Sequence, residues 1–193
     1  MPSLLLPLKN QRRILKAVVL LPAVIVVFAG IWVSTTAIIE NARFAHATDQ
    51  ILHLVVIMRN ISAADKRFAT HPGDDLLAGL EHAGLLTEVS GGNPSTLENP
   101  WKGSITSTAT TSSTARIETI MPTRDCRRLS LFFAHNGADL GLRLMEAREE
   151  RTDTIWHRFY DHTSDLATLG NQPVEVACGQ FPRATLALVF QLY

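Results

Sequence analysis

Two side chains in this sequence can do thiol chemistry, Cys126 and Cys178, and no other cysteine competes with them. A bond between them closes a loop of 53 residues. Loop-closure entropy makes such a bond worth about 4 kcal/mol against the unfolded chain. The alternative is two unrelated buried thiols. Neither cysteine stands in a zinc-ligand spacing, and the seven histidines (His46, His53, His71, His82, His135, His157 and His162) form no metal-protease pattern. His157 and His162 flank "RFYD" with Asp161 beside them, but a third organised ligand is lacking, so no metal is expected. There is no Gly-x-Ser-x-Gly elbow and no phosphate loop, and the glycines of "SGGNP" make a turn that leads into no helix. The hydroxyl run Ser104–Thr114 fits the outward face of an exposed strand better than a row of nucleophiles. Arg124, Arg127 and Arg128 cluster, with Arg116 expected close by. No aromatic row is interleaved with them, so a solvated helix face meeting acidic neighbours is expected, not a nucleic-acid site. The residues therefore point away from catalysis, cofactors and small-molecule substrates.

Whether the thiols pair depends on the compartment, and charge placement speaks to that. The 193 residues hold 18 basic and 18 acidic side chains, but Lys9, Arg12, Arg13 and Lys16 all precede Glu40, the first acid. Between Lys16 and Glu40 runs "AVVLLPAVIVVFAGIWVSTTAII", Ala17–Ile39, without a charge. As a helix it would span about 34 Å, enough for a hydrocarbon core of about 30 Å. A small soluble domain rarely hides an all-round apolar helix of that length. A cleaved signal peptide is the rival, with small residues near Ala37, though its apolar core is usually about 7–15 residues long. The basic flank predicts a cytoplasmic N-terminus. Everything after Glu40 then lies outside a bacterial inner membrane, where conditions are oxidising and Cys126 can pair with Cys178. Pro22 removes a backbone hydrogen bond inside the segment and should kink it.

The spacing predicts that the helix continues. Phe44, Ile51, Val55, Met58, Ile61 and Phe68 recur at steps of three, four or seven, with Asp49, Gln50, Arg59, Asn60 and Lys66 between them. One helix from about Arg13 to Ala69 is expected, with a greasy stripe that the rest of the chain must cover. The expected organisation is a basic tail over 1–16, a transmembrane helix over 17–39, an amphipathic spine over 40–70 and a globular head over 71–193. In the head, Asp74–Leu86 reads as a short helix capped by Asp74 or Asp75. Ile105–Ala109 and Ala115–Met121 read as a hairpin, with Ala115, Ile117, Thr119 and Met121 on one face. Pro122 ends the second strand, and Thr123 is expected to cap a helix that stops at Gly137. Further expectations are strands at Leu140–Met145 and Thr154–Tyr160, a charged loop at Arg148–Asp153 and a helical turn at Ser164–Leu169. The apolar run Ala184–Tyr193 should be a central strand. The fold class is α+β, a helical spine with a small, mainly antiparallel sheet.

A basic head, a proline-containing apolar helix, an amphipathic spine, "ENPWKG" before a hairpin, "IMPTRDC" and a second cysteine before a terminal strand together resemble the type IV pilins of the b class. The chain is most similar to their conjugation-type and toxin-coregulated group. There an Asn-Pro-Trp/Phe-Gly-Gly turn precedes a strand, and a Pro-x-x-x-Cys segment opens a helix whose cysteine pairs with one near the C-terminus. Asn99, Pro100, Trp101, Gly103, Pro122, Cys126 and Cys178 carry the match. Lys102 replaces the first glycine of the turn. "QRRILKAVVLLP" has no glycine at the leader junction, and no glutamate follows it inside the apolar segment. The resemblance implies a minor pilin or membrane-retained pilin-like component of a type IV pilus or related secretion or conjugation machine. Its partners would be other pilin-like subunits or the assembly platform, and the lipid bilayer. The alternative is a membrane-anchored periplasmic binding or sensing module unrelated to fibres.

Overall fold

The structure, a computed structural model, describes residues 8–64, 71–85, 97–149, 156–162, 168–169, 174–179 and 182–192, with side chains from Thr35 onward except those of Thr168, Leu169, Glu175 and Val176. The chain divides into two units, Met1–Ala42 and Arg43–Tyr193.

The first unit is helical from Leu8, within helix α1, Leu8–Ala64. The helix starts ahead of the expected Arg13 because Pro7 is the last breaker before it. Side chains before Thr35 lie outside the described residues, and with them the expectations for Lys9, Arg12, Arg13, Lys16 and the kink at Pro22. Among the described residues no helix is long and apolar enough to cross a membrane. Within the stretch Ala17–Ile39 only the side chains from Thr35 to Ile39 are described.

The second unit is α+β. After the end of α1 come α2 (Leu76–His82), β1 (Ile105–Thr111), β2 (Thr114–Pro122), α3 (Thr123–Asn136), β3 (Leu142–Glu149), β4 (His157–Asp161), β5 (Thr168–Leu169), α4 (Val174–Ala177) and β6 (Arg183–Gln191). The strands form one sheet in the order β1-β2-β6-β3-β4-β5, and every pair is antiparallel. The hairpin is where the sequence placed it, turning at Ser112 and Ser113. Ala115, Ile117, Thr119 and Met121 are all buried, the alternation a strand with one covered face must show. β6 lies in the middle and is buried from Ala184 to Phe190, so its apolar run needs no alternation. Ala184, Leu186, Leu188 and Phe190 enter the main core.

That core is where the stripe of α1 is covered. Ile51, Val55 and Met58 are buried, while Phe44 and Ile61 are half-buried against the same cluster. Phe68 and Lys66 lie outside the described residues. The stripe is wider than the spacing foretold, because Ala47, Leu54 and Ile57 are buried too. Gln50, expected on the polar side, is buried and donates to the Glu98 carbonyl at 3.1 Å. Arg59 is half-buried. It donates Nε to the Gln191 carbonyl at 2.9 Å and Nη2 to the Leu140 carbonyl, and burial pushes its pKa down. Gly141, at φ 65°, makes room for it. A Cβ there would lie 2.2 Å from Arg59 Nη2.

Four local expectations are corrected. Thr123 does not cap α3; Pro122 holds that position without a side-chain bond. The Thr123 amide instead donates to the Pro182 carbonyl at 3.2 Å, so the start of β6 does the capping. β3 extends through Arg148 and Glu149, which were assigned to a loop. They stay in register opposite Thr185 and Ala184 because β6 supplies the ladder. Thr168 and Leu169 form a strand on β4, not a helical turn. Helix α2 is shorter than expected, with Asp75 as its cap, accepting from the Leu77 and Ala78 amides at 2.9 and 3.3 Å. The "SGGNP" turn lies outside the described residues.

The free edge of β1 is protected. Ala109 exchanges backbone bonds with Gly73 and Asp74, and Ile105 donates to the Leu97 carbonyl. Covered in this way, the edge offers little template for a foreign strand.

Candidate assembly and recognition site

The turn residues of the motif, Asn99, Pro100, Trp101 and Gly103, are organised around one side chain. Asn99 is buried, and its amide uses its full hydrogen-bonding capacity. Oδ1 accepts from the Trp101 and Gly103 amides, both at 2.9 Å. Nδ2 donates to Thr119 Oγ1 at 2.8 Å and to the Ile120 carbonyl at 2.7 Å. The first pair folds the turn and the second pins it to β2. Pro100 occupies the second position of the turn closed by the Lys102 amide on the Asn99 carbonyl, where its fixed φ is favourable. The half-buried Trp101 ring packs against the core. Gly103 passes so close to β2 that a Cβ would fall 1.7 Å from the Ile120 carbonyl oxygen.

Lys102 sits at φ 62°, the one non-glycine among the described residues in the left-handed region. A glycine would adopt this conformation freely, so a lysine here carries a physical cost. A left-handed conformation costs an L-residue about 1 kcal/mol. The exposed Lys102–Glu98 ion pair at 3.6 Å offsets little of that. Lys102→Gly is therefore expected to stabilise the protein by about 0.5 kcal/mol after the added freedom of the unfolded chain is subtracted. A urea titration would show it as a higher midpoint at unchanged slope.

The disulfide is present between Cys126 and Cys178, with Cα atoms 6.0 Å apart and both residues buried. Topology explains the pairing. β6 runs antiparallel to β2, so its start, Arg183, lies opposite Pro122 at the end of β2. Cys126 is one helical turn past that end, and Cys178 follows α4 just before β6. Arg127 Nη2 donates to the Gly179 carbonyl at 3.1 Å and braces the same corner.

The arginine cluster divides between two places. Arg124, Arg127 and Arg128 stay on α3, where Arg128 Nη1 lies 3.8 Å from Asp125 and its guanidinium stacks 4.4 Å from the Phe44 ring centroid. Arg116 is not with them. It crosses the outer face of the sheet, donating Nε to Glu118 Oε1 at 2.7 Å and Nη1 to Glu146 Oε2 at 2.8 Å. Burial alone would lower its pKa, but the bonds and charges of Glu146 and Glu118 outweigh that, and the net direction is upward. Arg158 reaches Glu146 Oε1 at 3.2 Å and Asp161 Oδ2 at 3.3 Å. Trp156 takes the guanidinium of Arg116 at 4.4 Å and that of Arg148 at 4.6 Å. Ala187 lies between Glu118 and Glu146 across the strands, and its small side chain leaves room for Arg116 to bridge them. The polar side of β2 was legible in the sequence. The long-range partner Glu146 was not, since no local spacing connects residues 30 apart.

Buried Tyr160 on β4 adds a pH dependence. Burial raises its pKa above the ordinary value of about 10. The folded state keeps a proton that the unfolded state gives up, so this contribution is complete below about pH 10 and is lost as pH rises through the folded value. Tyr160→Phe should flatten the alkaline fall of the urea midpoint above about pH 10.

Among the described residues no group of three or more His, Cys, Asp or Glu side chains is placed to hold a metal ion. The geometry is that of a braced scaffold whose β1 edge is covered. Compared with known proteins, the chain matches no family model and no curated sequence.

Proposed function

We propose that the protein is a pilin-like component, a minor pilin or a membrane-retained relative, of a type IV pilus or related secretion or conjugation machine. It acts by assembly and recognition. In this proposal Ala17–Ile39 spans the bacterial inner membrane, the basic tail stays in the cytoplasm and the head stands in the periplasm. What supports it most is that three separate parts of the motif set meet on one sheet. The long helix lays its stripe on it, the Asn99 turn is pinned to β2, and the disulfide ties the ends of β2 and β6 together. The opposite side of α1 keeps His53, Val56 and Asn60 exposed, where a partner helix could lie.

The test is crosslinking in cells from the exposed side of α1, with a photoreactive residue at His53. Adducts with pilin-type subunits or an assembly-platform protein are expected. Repeated recovery of no such partner, from cells that make and retract pili normally when the protein is deleted, would favour the anchored binding module instead.

A further inference from the structure

We propose that the junction of α1 and α3 is a docking surface for the phosphate-bearing headgroups of the membrane, built from Arg43, Phe44, Arg124, Arg128 and Leu131. The proposal rests on Ala17–Ile39 being a membrane span. The last two residues of that stretch, Ile38 and Ile39, are 66% and 48% exposed. These two β-branched side chains are exposed among the described residues, and lipid is the solvent that would cover them. Arg43 and Phe44 follow four and five residues after Ile39. The charge-free stretch gives way to Glu40 and then to Arg43, whose long side chain can lay its stem on apolar surface and hold its charge at a headgroup layer.

The head adds a second element beside Phe44. The Phe44 ring meets Phe132 of α3 edge-on at 6.4 Å, and Arg128 lies over its face. Residues 124, 128 and 131 follow at steps of four and three, so they share one stripe of α3. Arg124 is exposed on that stripe, and Leu131 is 49% exposed. The stripe is thus basic with an apolar residue at its end, the composition of a helix face that rests on a membrane surface. The charges favour a phosphate layer. Among the described residues of these two helix segments, Arg43, Arg124, Arg127 and Arg128 outnumber Asp125, which is buried and near Arg128, and Glu40, four residues before Phe44. Arg127 spends one nitrogen on the Gly179 carbonyl, but its charge remains in the sum.

The full chain in nanodiscs containing phosphatidylglycerol tests this, with p-benzoylphenylalanine in place of Leu131 and, separately, of Val56. Val56 is 51% exposed and lies twelve residues beyond Phe44 on α1. Lipid adducts are expected several-fold more often from position 131 than from position 56. Arg124→Gln and Arg128→Gln should each cut the yield at 131, by up to about fivefold per arginine. Arg124 is exposed, so its variant should fold even if the Arg128 variant does not. Equal lipid yields at 131 and 56, adducts at 131 with a second chain in place of lipid, or indifference to Arg124→Gln would overturn the docking surface. Resistance to alkaline carbonate without lipid adducts defeats the docking surface and leaves the anchor standing. Release of the chain by carbonate defeats both.

Discussion

Gly103→Ala should destabilise the protein by more than about 4 kcal/mol, the range reserved for changes the fold cannot absorb. The new methyl would meet the Ile120 carbonyl oxygen at 1.7 Å, its carbon at 2.7 Å and Asn99 Nδ2 at 2.9 Å. None of these is the free end of a flexible side chain. Ile120 belongs to β2, which is paired on one side with β1 and on the other with β6. To make room, the turn must leave the strand, and both Nδ2 bonds of Asn99 break as it goes. Asn99→Ala reaches a similar end from the other partner. It strands the amides of Trp101 and Gly103, with about 1–3 kcal/mol at stake for each buried group left unsatisfied. Because both changes break the same contacts, the double variant should be far less damaging than the sum of the two singles. Equilibrium denaturation of the full chain in detergent would measure all three. Additive effects would show that the turn and the strand are held independently.

Removal of the disulfide is the second large effect. The cysteines are 52 apart in sequence. The chain-entropy relation gives about 4 kcal/mol for a loop of that size. The loss is expected to be local at first. Val174, Ala177 and Cys178 are buried, and the bond and the Arg127–Gly179 brace tie that corner to α3. Cys126→Ala with Cys178→Ala should therefore lower the thermal midpoint markedly, and amide exchange should rise earliest around α4 and the first residues of β6. The hairpin and the α1 stripe should be disturbed least, since the ladder between β1 and β2 does not depend on the bond. Breaking the outer network is smaller in scale. Glu146→Ala leaves Arg116 and Arg158 without their shared carboxylate, which costs about 3 kcal/mol at this partly buried site.

The elements legible in the sequence were those whose signal is local. The hairpin announced itself by period-two burial, β6 by an unbroken apolar run, and the spine by residues recurring from Phe44 to Ile61. Asp125 in the first turn of α3 and Gly137 at its end were also plain. What escaped depends on contacts distant in the chain. Arg148 and Glu149 look like loop residues until Trp156 takes the first and Gly179 makes room for the second. Thr123 looked like a cap because sequence alone cannot show that Pro182 would supply the acceptor. Gln50 and Arg59 looked solvent-facing because the carbonyls that receive them, Glu98 and Gln191, are 48 and 132 residues away. The "NPW" motif was visible as a string. Only the fold shows why Asn99 must be an amide, why Gly103 must lack a side chain, and why a glycine would suit position 102.

The proposed role depends on a head that is folded and oxidised outside the reducing cytoplasm while the chain remains rooted in the membrane. The most direct measurement is the thiol state of the full-length protein in the membrane fraction of growing cells, acid-quenched and alkylated before any reductant is added. No alkylation at Cys126 or Cys178 until reduction is expected. Recovery of the membrane-bound chain with both cysteines already alkylated would contradict the account.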